Sequence, residues 1–162
     1  MKNLNKFLFV VLILFSGVRQ AQAEGSNARI SLAGTGLGYS SVSGMYVNLG
    51  GIYEKAFTAN WLAGLGLRLG YNSDWFSYGP QASLTYFFED FSTDGFYLTS
   101  MAGYTWNNYS SSIKNDSHPL LAVGAGYQWV FDNGVYLGLG VMVQTVFESS
   151  IAGAMLDLGF NL

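Results

Sequence analysis

The segment Trp61-Leu62-Ala63-Gly64-Leu65-Gly66-Leu67-Arg68-Leu69-Gly70-Tyr71-Asn72 decides the fold, because its residues alternate between two kinds of side chain. The odd-numbered positions are apolar or aromatic from Trp61 to Tyr71, and the even-numbered positions include three glycines and the charged Arg68. Successive side chains of a β-strand point to opposite faces, so the segment predicts a strand with one large apolar face. A glycine-rich face that carries a charge cannot fill a hydrophobic core. The alternation therefore favours a barrel whose large side chains point outward to lipid and whose small and polar side chains point inward.

The composition indicates that the outer surface of the folded chain does not face water. Charged residues make up 10% of the sequence, aromatic residues make up 17%, and the mean hydropathy is +0.25. A soluble domain normally carries about 25% charged residues. In a lipid bilayer only helices and closed barrels satisfy all of their backbone polar groups, and the strand pattern selects the barrel.

Residues 1–23 have the features of a secretory signal peptide. Lys2 and Lys6 precede a nearly unbroken apolar run at 7–15, and Ala21-Gln22-Ala23 matches the small-x-small cleavage pattern. The apolar run is shorter than the roughly 20 residues that a membrane-spanning helix needs. We therefore predict cleavage before Glu24 and a single exported β-barrel domain at 24–162.

The basic residues and the lack of cysteine exclude several classes of function. Arg29, Lys55, Arg68 and Lys114 are the only Lys and Arg residues after residue 23, against ten acidic residues, so no nucleic-acid partner is expected. The absence of cysteine from the sequence excludes disulfides, thiolate metal sites and cysteine nucleophiles. The sequence has no phosphate-binding loop, zinc-ligand spacing or dinucleotide fingerprint, so we predict no cofactor and no metal.

Alternation like that of 61–72 recurs along the chain and predicts an all-β fold, an eight-stranded antiparallel up-and-down transmembrane β-barrel. The predicted strands lie at about 28–39, 44–54, 61–72, 78–89, 96–107, 121–131, 135–144 and 152–162. Strands of about ten residues cross a bilayer when tilted. An even number of strands puts both chain ends on the periplasmic side, where Asp132-Asn133-Gly134 is a hairpin signal. The predicted external connections are 40–43, 73–77, 108–119 and 148–150.

Aromatic residues are predicted to form a belt at each end of the strands. Tyr and Trp take this interfacial position in membrane proteins, whereas the general enrichment of aromatic residues in strands does not predict it. The predicted aromatic girdle comprises Trp61, Tyr71, Tyr86, Tyr104, Trp106, Trp129 and Phe160.

Inward-facing polar residues predict a network inside the barrel. Arg68 is the only basic residue predicted at mid-barrel, and the register of the neighbouring strands puts Asn48 and Gln81 beside it. The predicted network comprises Arg68, Asn48, Gln81, Asp157, Gln128 and Gln144. A charge in so narrow an interior needs a partner, so these residues form either a polar plug or a gate in a narrow pore lined by Arg68 and Asp157. The many inward glycines leave open a hollow for an acyl chain.

The segment 108–119 is the longest polar stretch and is predicted to be an external loop. The loop residues singled out as a candidate interaction surface are Tyr109, Lys114, Asp116 and His118. Within it, Asp116-Ser117-His118 places the only histidine beside a hydroxyl and a carboxylate. Catalytic triads arise by convergence in space, and adjacent strand residues point to opposite faces, so we predict no catalytic role for this tripeptide.

Over 28–162 the chain resembles the small eight-stranded bacterial outer-membrane proteins of the OmpA-barrel and OmpX type. The resemblance rests on the strand pattern and not on a motif. In that group the last strand carries an assembly signal, and here Leu158, Phe160 and Leu162 alternate as that signal does. The terminal residue departs from the Phe or Trp that usually ends this signal. The resemblance implies the outer membrane of a Gram-negative bacterium, with membrane lipid and the outer-membrane assembly machinery as partners.

These observations predict a non-enzymatic cell-envelope barrel with a structural or surface-interaction role and an interior filled mostly by side chains. The alternatives are a narrow, porin-like channel, a barrel that binds an apolar ligand or lipid, and a lipid-modifying enzyme. A secreted soluble barrel of the lipocalin kind would place its large apolar residues inside. That inversion would put too many Trp, Tyr and Leu side chains into the interior.

Overall fold

The computed structural model describes residues 27–32, 37–40, 44–71, 75–109, 116–146 and 149–162. The predicted signal peptide lies outside these residues. No helix within the described ranges is long and apolar enough to cross a membrane.

The described residues form nine β-strand segments. They are β1 (Ala28–Leu32), β2 (Leu37–Ser40), β3 (Gly44–Ala56), β4 (Trp61–Tyr71), β5 (Trp75–Phe87), β6 (Gly95–Tyr109), β7 (Asp116–Val130), β8 (Val135–Val146) and β9 (Ser149–Asn161). From β3 to β9, each strand pairs antiparallel with the next one along the chain. Both β1 and β2 pair with β3 on one side and with β9 on the other. The nine segments therefore occupy eight positions in a closed antiparallel barrel, which confirms the predicted fold.

The two faces of the wall differ as the alternation predicts. In β4, Leu65 and Leu67 are 73% and 69% exposed on the outside, whereas Leu62 and Arg68 are buried inside. The same alternation runs through the other long strands. The outside of the barrel is therefore apolar, and the inside contains the buried polar residues.

The strands extend further than predicted at the end of the barrel that carries the predicted external connections. β5 begins at Trp75, inside the predicted loop 73–77, and β9 begins at Ser149, inside the predicted turn 148–150. The largest correction concerns 108–119, since β6 continues to Tyr109 and β7 begins at Asp116. Polar residues extend the strands there because their inward-pointing side chains meet other polar residues at this end of the barrel, as in the pairing of Asn107 with Asp116.

The first strand changes register by one residue between β1 and β2. Arg29 pairs with Asn161, and Gly38 pairs with Gly153, so nine positions along the first strand correspond to eight along β9. The side chains of β1 therefore point to the opposite faces from those expected for one continuous strand at 28–39. As a result Arg29 points inward, where it is only 2% exposed. Arg29 is therefore a second inward-facing basic residue, nearer the barrel end than Arg68, and the sequence analysis did not place it inside.

Candidate functional site in the barrel interior

The barrel interior contains two polar clusters. The Arg29 cluster comprises Arg29, Ser31, Glu54, Gln128, Tyr136 and Asp157, and the Arg68 cluster comprises Asn48, Arg68, Gln81 and Gln144. The Arg29 cluster lies toward the end that carries the connections 57–60, 88–94 and 131–134, which we call the turn end. The Arg68 cluster lies toward the opposite end.

The Arg29 guanidinium forms hydrogen bonds at Nε and Nη1. Its Nε donates to Glu54 Oε2, and its Nη1 donates to Gln128 Oε1 at 3.3 Å. The guanidinium carbon lies 4.9 Å from the ring centroid of Phe87 and 4.8 Å from that of Tyr136, so aromatic faces contact its remaining surface. Arginine suits this position because its flat cation both hydrogen-bonds in plane and stacks on rings.

The two carboxylates near Arg29 also accept hydrogen bonds from hydroxyl groups. Glu54 Oε1 accepts from Ser83 at 3.0 Å and from Thr85 at 2.9 Å. Asp157 Oδ1 accepts from Ser31 and, at 3.3 Å, from the Tyr136 hydroxyl. Buried charges are tolerated only when they are paired and hydrogen-bonded, and both carboxylates meet this condition.

Glycine residues on the neighbouring strands leave room for the side chains of the Arg68 cluster. Arg68 donates to Asn48 Oδ1 from Nε at 3.0 Å and also from Nη2. Asn48 pairs in the ladder with Gly70, and Gly50 pairs with Arg68, so glycines stand beside both side chains. A Cβ at Gly50 would lie 3.0 Å from the Gln81 amide nitrogen, so the glycine leaves room for that side chain.

All six residues of the predicted interior network are buried, and the contacts and cavities described for them fall into two groups. Asn48, Arg68, Gln81 and Gln144 line one cavity, whereas Asp157 lines another with Arg29. Gln128 also contacts Arg29. Of these two cavities, Arg68 lines one and Asp157 lines the other. The polar plug and the gate lined by this pair both stay predictions.

Sequence reasoning missed Arg29, although one signal pointed to it. Glu54 lies six residues after Asn48, so the alternation that predicts Asn48 to point inward predicts the same for Glu54. A buried carboxylate requires a positively charged or hydrogen-bonding partner. Arg29 is the cross-strand neighbour of Glu54 in the ladder. The missing information was the register change in the first strand.

Apolar side chains also lie in the described part of the interior. An apolar cluster lies among the polar groups and comprises Ile52, Leu62, Phe87, Phe91, Tyr97, Met101, Ala122, Met142 and Met155. The cavities next to the Arg29 and Arg68 clusters are each about 10 Å³, roughly the room of one water molecule. At the turn end, Phe91 reaches into the interior from a connection rather than from a strand, and Gln128 Nε2 donates to its carbonyl at 2.8 Å.

The aromatic residues predicted to form the girdle lie near strand ends. At the turn end Trp61 contacts Tyr86, with ring centroids 4.8 Å apart, and Trp129 contacts Tyr127 at 5.0 Å. Near the other end Tyr104 contacts Trp106 at 5.5 Å. Trp61, Tyr71, Tyr104, Trp106 and Trp129 are exposed on the outer wall, whereas Tyr86 and Phe160 are half-buried.

The tripeptide at 116–118 lies in β7 rather than in a loop, and its residues diverge. His118 Nε2 lies 2.8 Å from Asp116 Oδ2, whereas Ser117 Oγ contacts the hydroxyl of the outward-facing Tyr104 at 3.0 Å. The hydroxyl and the imidazole therefore do not converge. Lys114, also predicted for the external loop, lies outside the described residues, and Tyr109 ends β6. Within the described ranges, no group of three or more His, Asp or Glu side chains could hold a metal ion.

Solved structures of outer-membrane barrels share this fold. The N-terminal β-barrel domain of Pseudomonas aeruginosa OprF matches with a TM-score of 0.67 and 16% identity, covering 85% of this chain and 98% of that one. Neisserial surface protein A matches with a TM-score of 0.63 and 15% identity over 85% and 98% of the two chains. Ail, the attachment invasion locus protein of Yersinia pestis, matches with a TM-score of 0.52 and 13% identity over 84% and 97%.

No family model matches the sequence, and no curated protein sequence matches it. At 13–16% identity, likeness to the solved structures establishes the fold alone. The chain therefore has the fold of the small eight-stranded outer-membrane β-barrels.

Proposed function

We propose that the chain is a non-enzymatic integral barrel of a Gram-negative outer membrane, with a structural or surface-interaction role and a closed interior. The observation that carries this proposal is the combination of an apolar outer wall with an interior filled by side chains. The turn end faces the periplasm in this proposal, and the opposite end faces the outside of the cell.

The energetics of the outer wall favour a lipid environment. Leu65, Leu67, Leu121, Val123 and Val141 are each more than 60% exposed. Burying one such side chain contributes about 1.5–3 kcal/mol relative to leaving it in water. Since a folded domain is stable by only about 5–15 kcal/mol, a wall of such residues is incompatible with a water-facing surface. A bilayer removes the whole wall from water.

The filled interior supports a structural role rather than conduction. The charged groups of the Arg29 cluster are paired between neighbouring strands, and the loss of one partner of a buried ion pair costs about 3–5 kcal/mol. Phe91 is buried with the apolar cluster at the turn end. A conducting state would have to displace both sets of contacts.

Membrane fractionation of expressing cells, followed by planar-bilayer recording of the purified barrel, tests the proposal. We expect recovery in the outer-membrane fraction after alkaline washing and no steady conductance above that of the bilayer. Recovery in the soluble periplasm without detergent would contradict the membrane assignment. A regular single-channel conductance would contradict the closed interior and favour the narrow channel.

The surface role is assigned to the connection between β6 and β7. These two strands have 15 residues each, and the polar segment 110–115 joins them at the end that we place outside the cell. The attachment function in the name of Ail, whose structure shares the fold, supports an attachment role. Replacing 110–115 by a Gly/Ser linker of equal length should leave the barrel folded and reduce attachment of cells to surfaces. Unchanged attachment would contradict the surface-interaction role and leave the structural role in the membrane.

A second candidate, a lipid-modifying enzyme, rests on the contact of 2.8 Å between His118 and Asp116. The measurement is mass spectrometry of lipid A from cells that express the wild-type barrel or His118→Asn. We expect identical lipid A in both. A modified species that depends on His118 would establish the enzyme instead.

A further inference from the structure

We propose that the barrel interior holds two separate single-water sites, one at each polar cluster, and that the side chain of Met101 separates them. The proposal concerns hydration of the interior and does not depend on the surface role proposed above.

The first site lies between Arg29, Tyr97 and Asp157. Arg29 Nη2 is 3.9 Å from Asp157 Oδ2, which is too long for a hydrogen bond but suits one bridging water. The Tyr97 hydroxyl has no hydrogen-bond partner although the residue is only 2% exposed. All three residues line the same cavity of about 10 Å³. A water there accepts from Arg29, donates to Asp157 and bonds to Tyr97, and three bonds are usual for buried water.

The second site lies between Asn48 and Gln144. Asn48 Nδ2 is a donor and Gln144 Oε1 is an acceptor, and both atoms are buried without a partner. The residues are 2% and 1% exposed, and both line the second cavity of about 10 Å³. A water there accepts from Asn48 and donates to Gln144. This placement satisfies two groups whose burial without a partner costs free energy.

Met101 is the one residue that the two cavities have in common. Met142 lines only the cavity of the Arg68 cluster, and Met155 lines only that of the Arg29 cluster. A thioether is a weak hydrogen-bond acceptor, so the methionines give water no stable position between the two sites. Each water is therefore isolated, and the hydrogen-bonded path along the interior is interrupted at Met101.

The sites are tested by nuclear magnetic resonance of the isotope-labelled barrel in micelles. We expect persistent cross-relaxation between water and the side-chain amide of Asn48, and between water and the hydroxyl of Tyr97. Gln144→Met should abolish the signal at Asn48 and leave that at Tyr97. Tyr97→Phe should leave the signal at Asn48, and it serves as the reciprocal control.

Absence of both wild-type signals would overturn the proposal of bound water. Loss of the Asn48 signal in Tyr97→Phe would overturn the separation of the sites. If Gln144→Met does not fold, a crystal structure of the wild-type barrel provides the same answer from the density between Asn48 and Gln144. A direct bond between those side chains would contradict the second site.

Three matched methionine variants test the separation. Met101→Ala should join the two sites, so that the water signals at both Asn48 and Tyr97 change. Met142→Ala and Met155→Ala remove the same atoms, and each should change the signal of one site only, at Asn48 for Met142 and at Tyr97 for Met155. If Met101→Ala leaves either signal unchanged, or if all three variants give one pattern, Met101 is not the barrier. Met101→Val provides the comparison if the alanine variant does not fold.

Discussion

Arg29 and Glu54 are direct neighbours across the ladder between β1 and β3, and their side chains form a buried ion pair inside the barrel. Both residues are 2% exposed. Such a pair contributes little relative to an apolar pair of the same shape, but the loss of one partner leaves an isolated charge in a low-dielectric interior. The loss of stability when one partner is removed is therefore larger than the net stabilisation that the pair provides.

Glu54→Gln should destabilise the barrel by about 3–5 kcal/mol, because it removes the charged partner of Arg29. The measurement is urea unfolding in phospholipid vesicles, followed by tryptophan fluorescence. Glu89→Gln is the control, since Glu89 is exposed in the connection after β5, and it should change stability by less than about 0.5 kcal/mol. Equal effects of the two substitutions would contradict the buried pair.

Arg68→Ala should lower the free energy of unfolding of the barrel by about 1–3 kcal/mol and so lower its thermal transition temperature, because Asn48 Oδ1 loses the guanidinium that donates to it. The loss is read from the temperature at which the folded barrel changes its electrophoretic mobility. Planar-bilayer recording of the same variant should show no new conductance. An unchanged transition temperature together with a new ion conductance would support the gate.

Leu65→Arg should destabilise the barrel by about 2–4 kcal/mol in vesicles, since Leu65 lies midway along β4 on the outer wall. Ala59→Arg, in the exposed connection before β4, is the control and should be nearly neutral. Urea midpoints of both variants provide the comparison. In a barrel whose outer wall faced water, an arginine at position 65 would be tolerated as well as one at 59.

Gly66→Ala should destabilise the barrel by about 1–3 kcal/mol, because its Cβ would lie 2.1 Å from the carbonyl oxygen of Gly51 on the neighbouring strand β3. Gly51→Ala is the matched control, since a Cβ there meets no atom within 4 Å. The control should change the stability by less than about 0.5 kcal/mol. Comparable unfolding midpoints for the two variants would refute the close approach at Gly66.

The sequence predicted the barrel wall well because alternation has a period of two and needs no information from distant residues. The faces of Leu65, Arg68 and Asp157 all follow from their positions in their own strands. Strand ends were predicted less well. Residues 108–109 and 116–119 were predicted as part of a loop, although in the barrel they continue the strands β6 and β7.

The arrangement of the interior could not be predicted from alternation. Arg29 required the register of β1 against two strands at once, and its contact with Gln128 crosses the barrel between strands that are not neighbours. Such contacts depend on closure and stagger of the whole sheet. The sequence therefore predicts which side chains point inward, but not which of them meet.

The cluster around Arg29 also joins the first strand to the last. Ser31 of β1 donates to Asp157 of β9, and Arg29 lies 3.9 Å from the same carboxylate. Before β1 pairs with β9, Asp157 would keep the hydrogen bond from Tyr136 of β8 but would lack Ser31 and the nearby charge of Arg29. Compensation of the Asp157 charge therefore accompanies the final strand pairing, which disfavours insertion of a half-built sheet into lipid.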